Sequence, residues 1–339
     1  MRNAATYCTD QLFDQLLVLK NSLDPFIQQA EMQQLLHLIN FIQRDENVLL
    51  IDNEADRFLE YAKTQKDSNG FHNLILQTLF NAVATGNGKA ELVQNKVSLY
   101  DREERLKFSF NESFDSIPKI EMDEILQRWQ PYTEGRTICI NPKDPLDNDF
   151  YSWQSLKELG HPSSSFVLVD NYICAHYNIS NLISILEAYL RGQKECHEKL
   201  HITIVTSKIY TKGRDSIEPT EISVLKKRID REIQKSIDKD CYNLNIVLCK
   251  TSDNHDRHIF TDYYTFRSGN SFNYFDNQTM EIRLRSMTDL EVIPNTARNK
   301  EQLYDSYFEN HRLSVRTLIE NADDDCVAGG KINRLLGIF

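Results

Sequence analysis

Residues 255–262 read His-Asp-Arg-His-Ile-Phe-Thr-Asp, bringing a nucleophile, a fixed cation and a carboxylate into one short segment. The apolar stretch Leu244-Asn-Ile-Val-Leu-Cys249 precedes them and Gly269 follows, so an extended conformation is expected. In a strand, residues i and i+2 lie on one face. His255 and Arg257 would then stand side by side, with room between them for a tetrahedral anion. Arg257 offers a planar donor fork that matches phosphate oxygens. His255 can act near neutral pH as nucleophile or as general acid–base. Asp262 has the opposite strand parity and joins the pair only if the chain turns at Asp262-Tyr-Tyr-Thr265.

The pattern His255-x-Arg257-x4-Asp262, followed by the small-residue turn Ser268-Gly269-Asn270, resembles the signature of the phospholipase D superfamily. The longer run through Phe272, Tyr274 and Phe275 is similar to one branch of it, the phospholipase-D-like C-terminal domain of MIT-containing trafficking proteins. That branch is regarded as a binding domain rather than an enzyme. The resemblance covers residues 136–290 at most and is sharp over 255–275. It implies that His255 attacks phosphorus, that Arg257 holds the non-bridging oxygens, and that Asp262 completes the catalytic set. Ser268 and Asn270 would add hydrogen bonds to the phosphate. Asp170, in Asp170-Asn-Tyr172, matches the Asp-x-Tyr that often follows the first strand of such domains and would support the site. The departure is arginine where the superfamily has lysine, since arginine binds phosphate but does not readily release a proton. No cofactor and no metal are expected. His176, His197 and His201 lack ligand spacing, and His258 points away from His255 on a regular strand.

Composition limits the alternatives. The 339 residues suffice for about two domains, and 40% hydrophobic with 26% charged is ordinary for a globular protein. No apolar run is long enough to span a membrane, and the first ten residues lack the apolar core of a secretory signal. Seven scattered cysteines without a C-x-x-C pair argue for reduced thiols, and hence for a cytoplasmic protein. The net charge of −11 opposes contact with nucleic acid, although a local basic groove can overcome it. Lys226-Lys227-Arg228 and Arg231, with Lys208, Lys212 and Arg214 upstream, are the main basic concentration. Asp230 and Glu232 among them suit a solvated helix face. Gly86-Asn-Gly-Lys89 is not a phosphate loop, because Val83 and Ala90 stand where glycine and a hydroxyl are required.

The elements that must position these groups divide into two parts. Residues 1–135 read as a mainly helical domain. Apolar residues recur at three- and four-residue steps from Thr9 to Gln43, and further helices are expected over 53–65 and 71–84. A stretch rich in Pro, Gly, Asp and Ser around 130–165 leads into the second part, 136–339, an α/β domain. Strands at 166–170, 201–206, 244–249, 257–261 and 280–285 alternate with helices at 178–191, 219–237 and 300–321. That order suggests a phospholipase-D-like mixed, mostly parallel sheet flanked by helices, closed by a peripheral tail.

Two functions follow. The favoured one is a metal-independent phosphodiesterase, most plausibly a nuclease, working through phosphohistidine and suited to a bacterial anti-phage effector. With one motif per chain, it needs a homodimer to bring a second histidine as proton donor. The alternative is an inactive phospholipase-D-like module that binds phosphate groups or a protein partner, with residues 1–135 handling assembly.

Overall fold

The structure, a computed structural model, describes residues 4–12, 14, 41–42, 47–64, 90–94, 99–104, 106–110, 114, 117–120, 135–143, 150–159, 163–175, 179–190, 199–207, 219–249, 257–276, 281–284, 286–295 and 304–339. The chain falls into two compact units, Met1–Thr133 and Glu134–Phe339.

The first unit is built on a five-stranded parallel sheet. Its strands are β1 (Ala4–Cys8), β2 (Asn47–Asp52), β3 (Ala90–Val93), β4 (Leu106–Phe110) and β5 (Lys119–Ile120), in the order β3-β2-β1-β4-β5. This corrects the expectation of a mainly helical module. The physical reason is that β1, β2 and β4 are buried along their whole length. A parallel strand covered on both faces has no in–out alternation for a period-two search to find. Two alanines in Ala4-Ala-Thr-Tyr-Cys8 weaken the strand signal further. Of the expected helices, 53–65 appears as α1 (Asp56–Thr64). The helix over 71–84 and most of Thr9–Gln43 lie outside the described residues, although 10–12, 14 and 41–42 are helical. Asp10 accepts from the backbone N–H groups of Arg57 and Phe58 and so caps α1 from a distant segment. Tyr7 donates to buried Asp52 at 2.6 Å.

The second unit carries an eight-stranded mixed sheet in the order β13-β9-β8-β7-β10-β11-β12-β6. Its strands are β6 (Arg136–Ile140), β7 (Ser165–Val169), β8 (Leu200–Thr206), β9 (Tyr242–Leu248), β10 (Arg257–Thr261), β11 (Tyr264–Ser268), β12 (Thr288–Pro294) and β13 (Val327–Ala328). Only β7, β8 and β9 pair in parallel, and every other pair in this sheet is antiparallel, so the expected mostly parallel sheet is a three-strand parallel centre. The expected strand at 280–285 is a single bridge from Ile282 to Phe275; β6, β11 and β12 supply the antiparallel half instead.

Helices cover both faces of this sheet. α2 (Ser180–Leu190) lies on the Phe166 face, where Tyr189 packs ring to ring with Phe166, and α3 (Pro219–Ile233) packs on β9. On the other face, Val167, Val169, Val205, Val247 and Phe260 meet Phe308, Val315 and Ile319 of α4 (Tyr304–Glu320). The tail is not peripheral. It gives β13 to the sheet, and Leu335 and Leu336 are buried in that same core. Burial of those two leucines contributes a few kcal/mol, which is enough to hold the segment in place. Among the described residues, no helix is long and apolar enough to cross a membrane.

Candidate functional site

Strand polarity decides which residues can meet. β10 runs antiparallel to β7 with His258 opposite Val169 and Thr261 opposite Phe166. The first residue of β10, Arg257, therefore stands beside the carboxyl end of β7, where Asp170 follows Val169. The ends of β8 and β9 reach the same edge, bringing Thr206, Ser207 and Cys249, and in α/β sheets this edge is where ligands are held. Cys249 N–H donates to Thr206 O, while the Thr206 and Ser207 hydroxyls both donate to Asn171 O.

Asp170 is fully buried and organises this edge. One carboxylate oxygen accepts from Tyr172 N–H at 2.8 Å. The other accepts from Ser271 Oγ at 2.7 Å and Phe272 N–H at 2.8 Å. These bonds tie the β7 end to the loop that follows β11. Burial raises the Asp170 pKa above the usual carboxylate range, while the three hydrogen bonds and the nearby Arg257 charge oppose the rise. The same loop receives Arg257, whose Nη1 donates to Gly269 O at 3.1 Å. Arg257 Nε is buried without a hydrogen-bond partner among the described residues. A cation is thus held at the edge with donor capacity unspent.

The other expected residues separate. Ser268 is buried, and its Oγ accepts from the Tyr274 hydroxyl and from Asn270 N–H, so it shapes the turn rather than facing a ligand. Asn270 is half-buried beside it, its side-chain amide without a partner among the described residues. Asp262 lies at the opposite end of β10, about 16 Å from Arg257 at the ordinary rise of a strand. The chain does turn there, but the carboxylate turns toward Ser164, accepting from its backbone N–H and, at 2.9 Å, from its hydroxyl. His255 lies outside the described residues, as do His176, His197, Lys208, Lys212 and Arg214.

His258 takes the face opposite Arg257. It is buried beside Phe260 and His311 of α4, with ring centroids 5.2 and 4.6 Å away. Burial, then His311 and Arg267, push its pKa down to about 3, so it packs as a neutral ring. The aromatic run after the motif is core as well: Tyr274 stacks on Trp153 at 4.9 Å, and Phe272 and Phe275 are buried around them. Among the described residues no group of three or more His, Cys, Asp or Glu could hold a metal ion.

Sequence reasoning missed Ser271 and the Gly269 carbonyl, which complete the loop clasp. Their signal was present in the unbroken turn-forming run Ser268-Gly-Asn-Ser271.

No family model matches the chain, and no curated protein matches it. Among solved structures, the chain is similar to TrmBL2, described as an archaeal chromatin protein with a novel mode of DNA binding, at 13% identity and a TM-score of 0.26. That match covers 56% of this chain and 58% of the other, so the chain spans little more than half of that neighbour's length.

Proposed function

We propose that the second unit binds phosphate-bearing ligands, phosphodiesters of nucleic acid foremost, at the carboxyl edge of its sheet through Arg257 and Asn270. One observation carries this reading: the Arg257 guanidinium is held at that edge by Gly269 O, and among the described residues its other donors have no hydrogen-bond partner. A phosphate oxygen would complete it with a charge-assisted bond of the strong kind. Binding rather than turnover is supported by arginine in the lysine position of the resembled motif and by Asp262, which is engaged with Ser164 at the other end of the strand. The test is fluorescence anisotropy with short labelled DNA and RNA strands at low salt. Arg257→Met should weaken binding about tenfold and flatten the salt dependence. Equal affinity for the variant would reject the site.

A second reading, the phosphodiesterase, is favoured by the spacing of His255, two residues before Arg257 and of the same strand parity. His255 would displace the leaving oxygen from phosphorus, and water would then release the phosphohistidine. The leaving oxygen needs a proton donor, which a second copy across a two-fold axis would bring. This reading goes with a cytoplasmic effector in defence against phage, and with the first unit recruiting a protein partner. It requires nucleic-acid degradation that persists in EDTA and stops in His255→Ala.

A further inference from the structure

At the other end of β9 the second unit has a cleft of about 400 Å3 that the Arg257 reading does not use. Its floor is the first half of β9, one wall is α3, and the other is the segment leaving β13. The segment leaves because the ladder stops. β13 pairs only with Val247 and Ile246, and at Gly329 the backbone turns away with φ 106°. Glycine is required there: a Cβ would lie 2.2 Å from Leu244 O, and the left-handed conformation strains any other residue. Gly330 is different, since a Cβ there would meet only Asn245 Oδ1 at an ordinary 3.6 Å.

A polar network preorganises the α3 wall. Asp230 accepts from Lys226 Nζ at 2.7 Å and from the Tyr242 hydroxyl at 3.2 Å, and Gln234 Nε2 donates to that hydroxyl at 3.4 Å. Burial and the Asp230 charge push the Tyr242 pKa up to about 12, so its proton stays on as a donor. The one carboxylate in the lining is thus paired with Lys226 and hydrogen-bonded by Tyr242, which leaves the positive charge of Lys239 over. Lys226 uses one of its three donors, and Lys239 has no ion-pair partner among the described residues. Ile332, 49% exposed, gives the lining an apolar surface, while Leu244 is buried in the floor. Asn243 and Asn245 stand beside it. Asn245 spends its Nδ2 on Ile332 O at 2.7 Å, which leaves its Oδ1 as acceptor.

We propose that this cleft binds a nucleoside monophosphate, with the phosphate between Lys226 and Lys239 and the base on Ile332 within reach of the half-buried Asn243 amide. Size agrees, since small-molecule sites begin at about 300 Å3. Charge agrees too, because two lysines against one carboxylate leave a net positive charge that favours an anion. The exposed Ile332 and the Asn243 amide suit a flat heterocycle with hydrogen-bonding edges better than they suit bare phosphate.

Isothermal titration of the full chain with AMP, and separately with inorganic phosphate, tests the site. AMP should bind saturably and at least tenfold more tightly than phosphate, because phosphate gains nothing from Ile332. Gly330→Leu should abolish AMP binding by crowding the wall, and Lys239→Gln should weaken it about threefold, as an exposed charge contact does. Both should leave the melting temperature unchanged. Gly330→Leu should keep the parent's oligonucleotide affinity, which separates this cleft from the site at the opposite end of the sheet. AMP binding that is absent at millimolar concentration, matched by phosphate, or retained in Gly330→Leu would overturn the proposal.

Discussion

The two ends of β10 carry the same kinds of residue and do different things with them. At its start, Arg257 leans on the Gly269 carbonyl and, among the described residues, keeps donors without a hydrogen-bond partner beside Asp170, whose bonds hold a loop in place. At its end, Asp262 is buried and receives both the backbone and the hydroxyl of Ser164. The two motif residues are five positions apart in sequence, yet the strand places them on opposite edges of the sheet. One edge has binding capacity left over, while at the other the carboxylate clamps the loop that feeds β7. Membership of a motif does not by itself put a residue at a site.

Removing the clamp should have the largest effect. Asp262→Ala leaves the Ser164 N–H and hydroxyl buried without that acceptor, at a cost of about 3 kcal/mol. Urea denaturation followed by circular dichroism measures it, and a change below experimental error would mean that Asp262 is not structural. Asp170→Asn comes next, at about 2 kcal/mol, since an amide presents only one acceptor oxygen to the three donors that the carboxylate satisfies. Unlike the Asp262 change it should also weaken oligonucleotide binding, because the loop carrying Gly269 loosens.

The two faces of β10 can be separated by pH. The folded-state pKa of His258 is pushed down to about 3, so below the unfolded value near 6.5 the unfolded chain takes up a proton that the folded one refuses. Its contribution is intact above pH 6.5 and is lost as the pH falls toward 3, at up to about 1.4 kcal/mol per pH unit. The raised Asp170 pKa acts in the opposite sense, favouring the folded state as the pH falls, so the variant is needed to isolate the histidine. In His258→Gln the loss of stability between pH 6.5 and 4 should flatten; an unchanged slope would place the titration elsewhere. The smallest effect is expected on the exposed surface, where Arg267 meets Glu291 at 3.4 Å. Arg267→Ala should cost less than about 0.5 kcal/mol by the same denaturation assay.

These contrasts also mark how far the sequence could be read. The apolar, β-branched runs at 166–170, 201–206 and 244–249 announced the parallel centre of the second unit, because each is followed or preceded by a helix-length pattern with its own periodicity. Arg257 was legible as a candidate from its chemistry and its expected place at a strand edge, and it does begin β10 beside the end of β7. The position of Asp262 was not, since it depends on Ser164, 98 residues away, which no local pattern records. The first unit misled for another reason. Strands buried on both faces resemble short apolar pieces of helix, and Ala4-Ala-Thr-Tyr-Cys8 has neither the alternation nor the branched side chains that mark a strand. The tail misled through its acidic and glycine-rich start, which hides the leucines that anchor it.

The most direct test sets Arg257→Met beside Asp262→Asn in one experiment, measuring oligonucleotide affinity and denaturation midpoint for each. Arg257→Met should lose about tenfold in affinity with its midpoint unmoved. Asp262→Asn should show a lowered midpoint and, at a temperature where it remains folded, the parent affinity. The reverse pattern, with affinity lost on changing Asp262 and retained on changing Arg257, would contradict the assignment of binding to one end of the strand and support to the other.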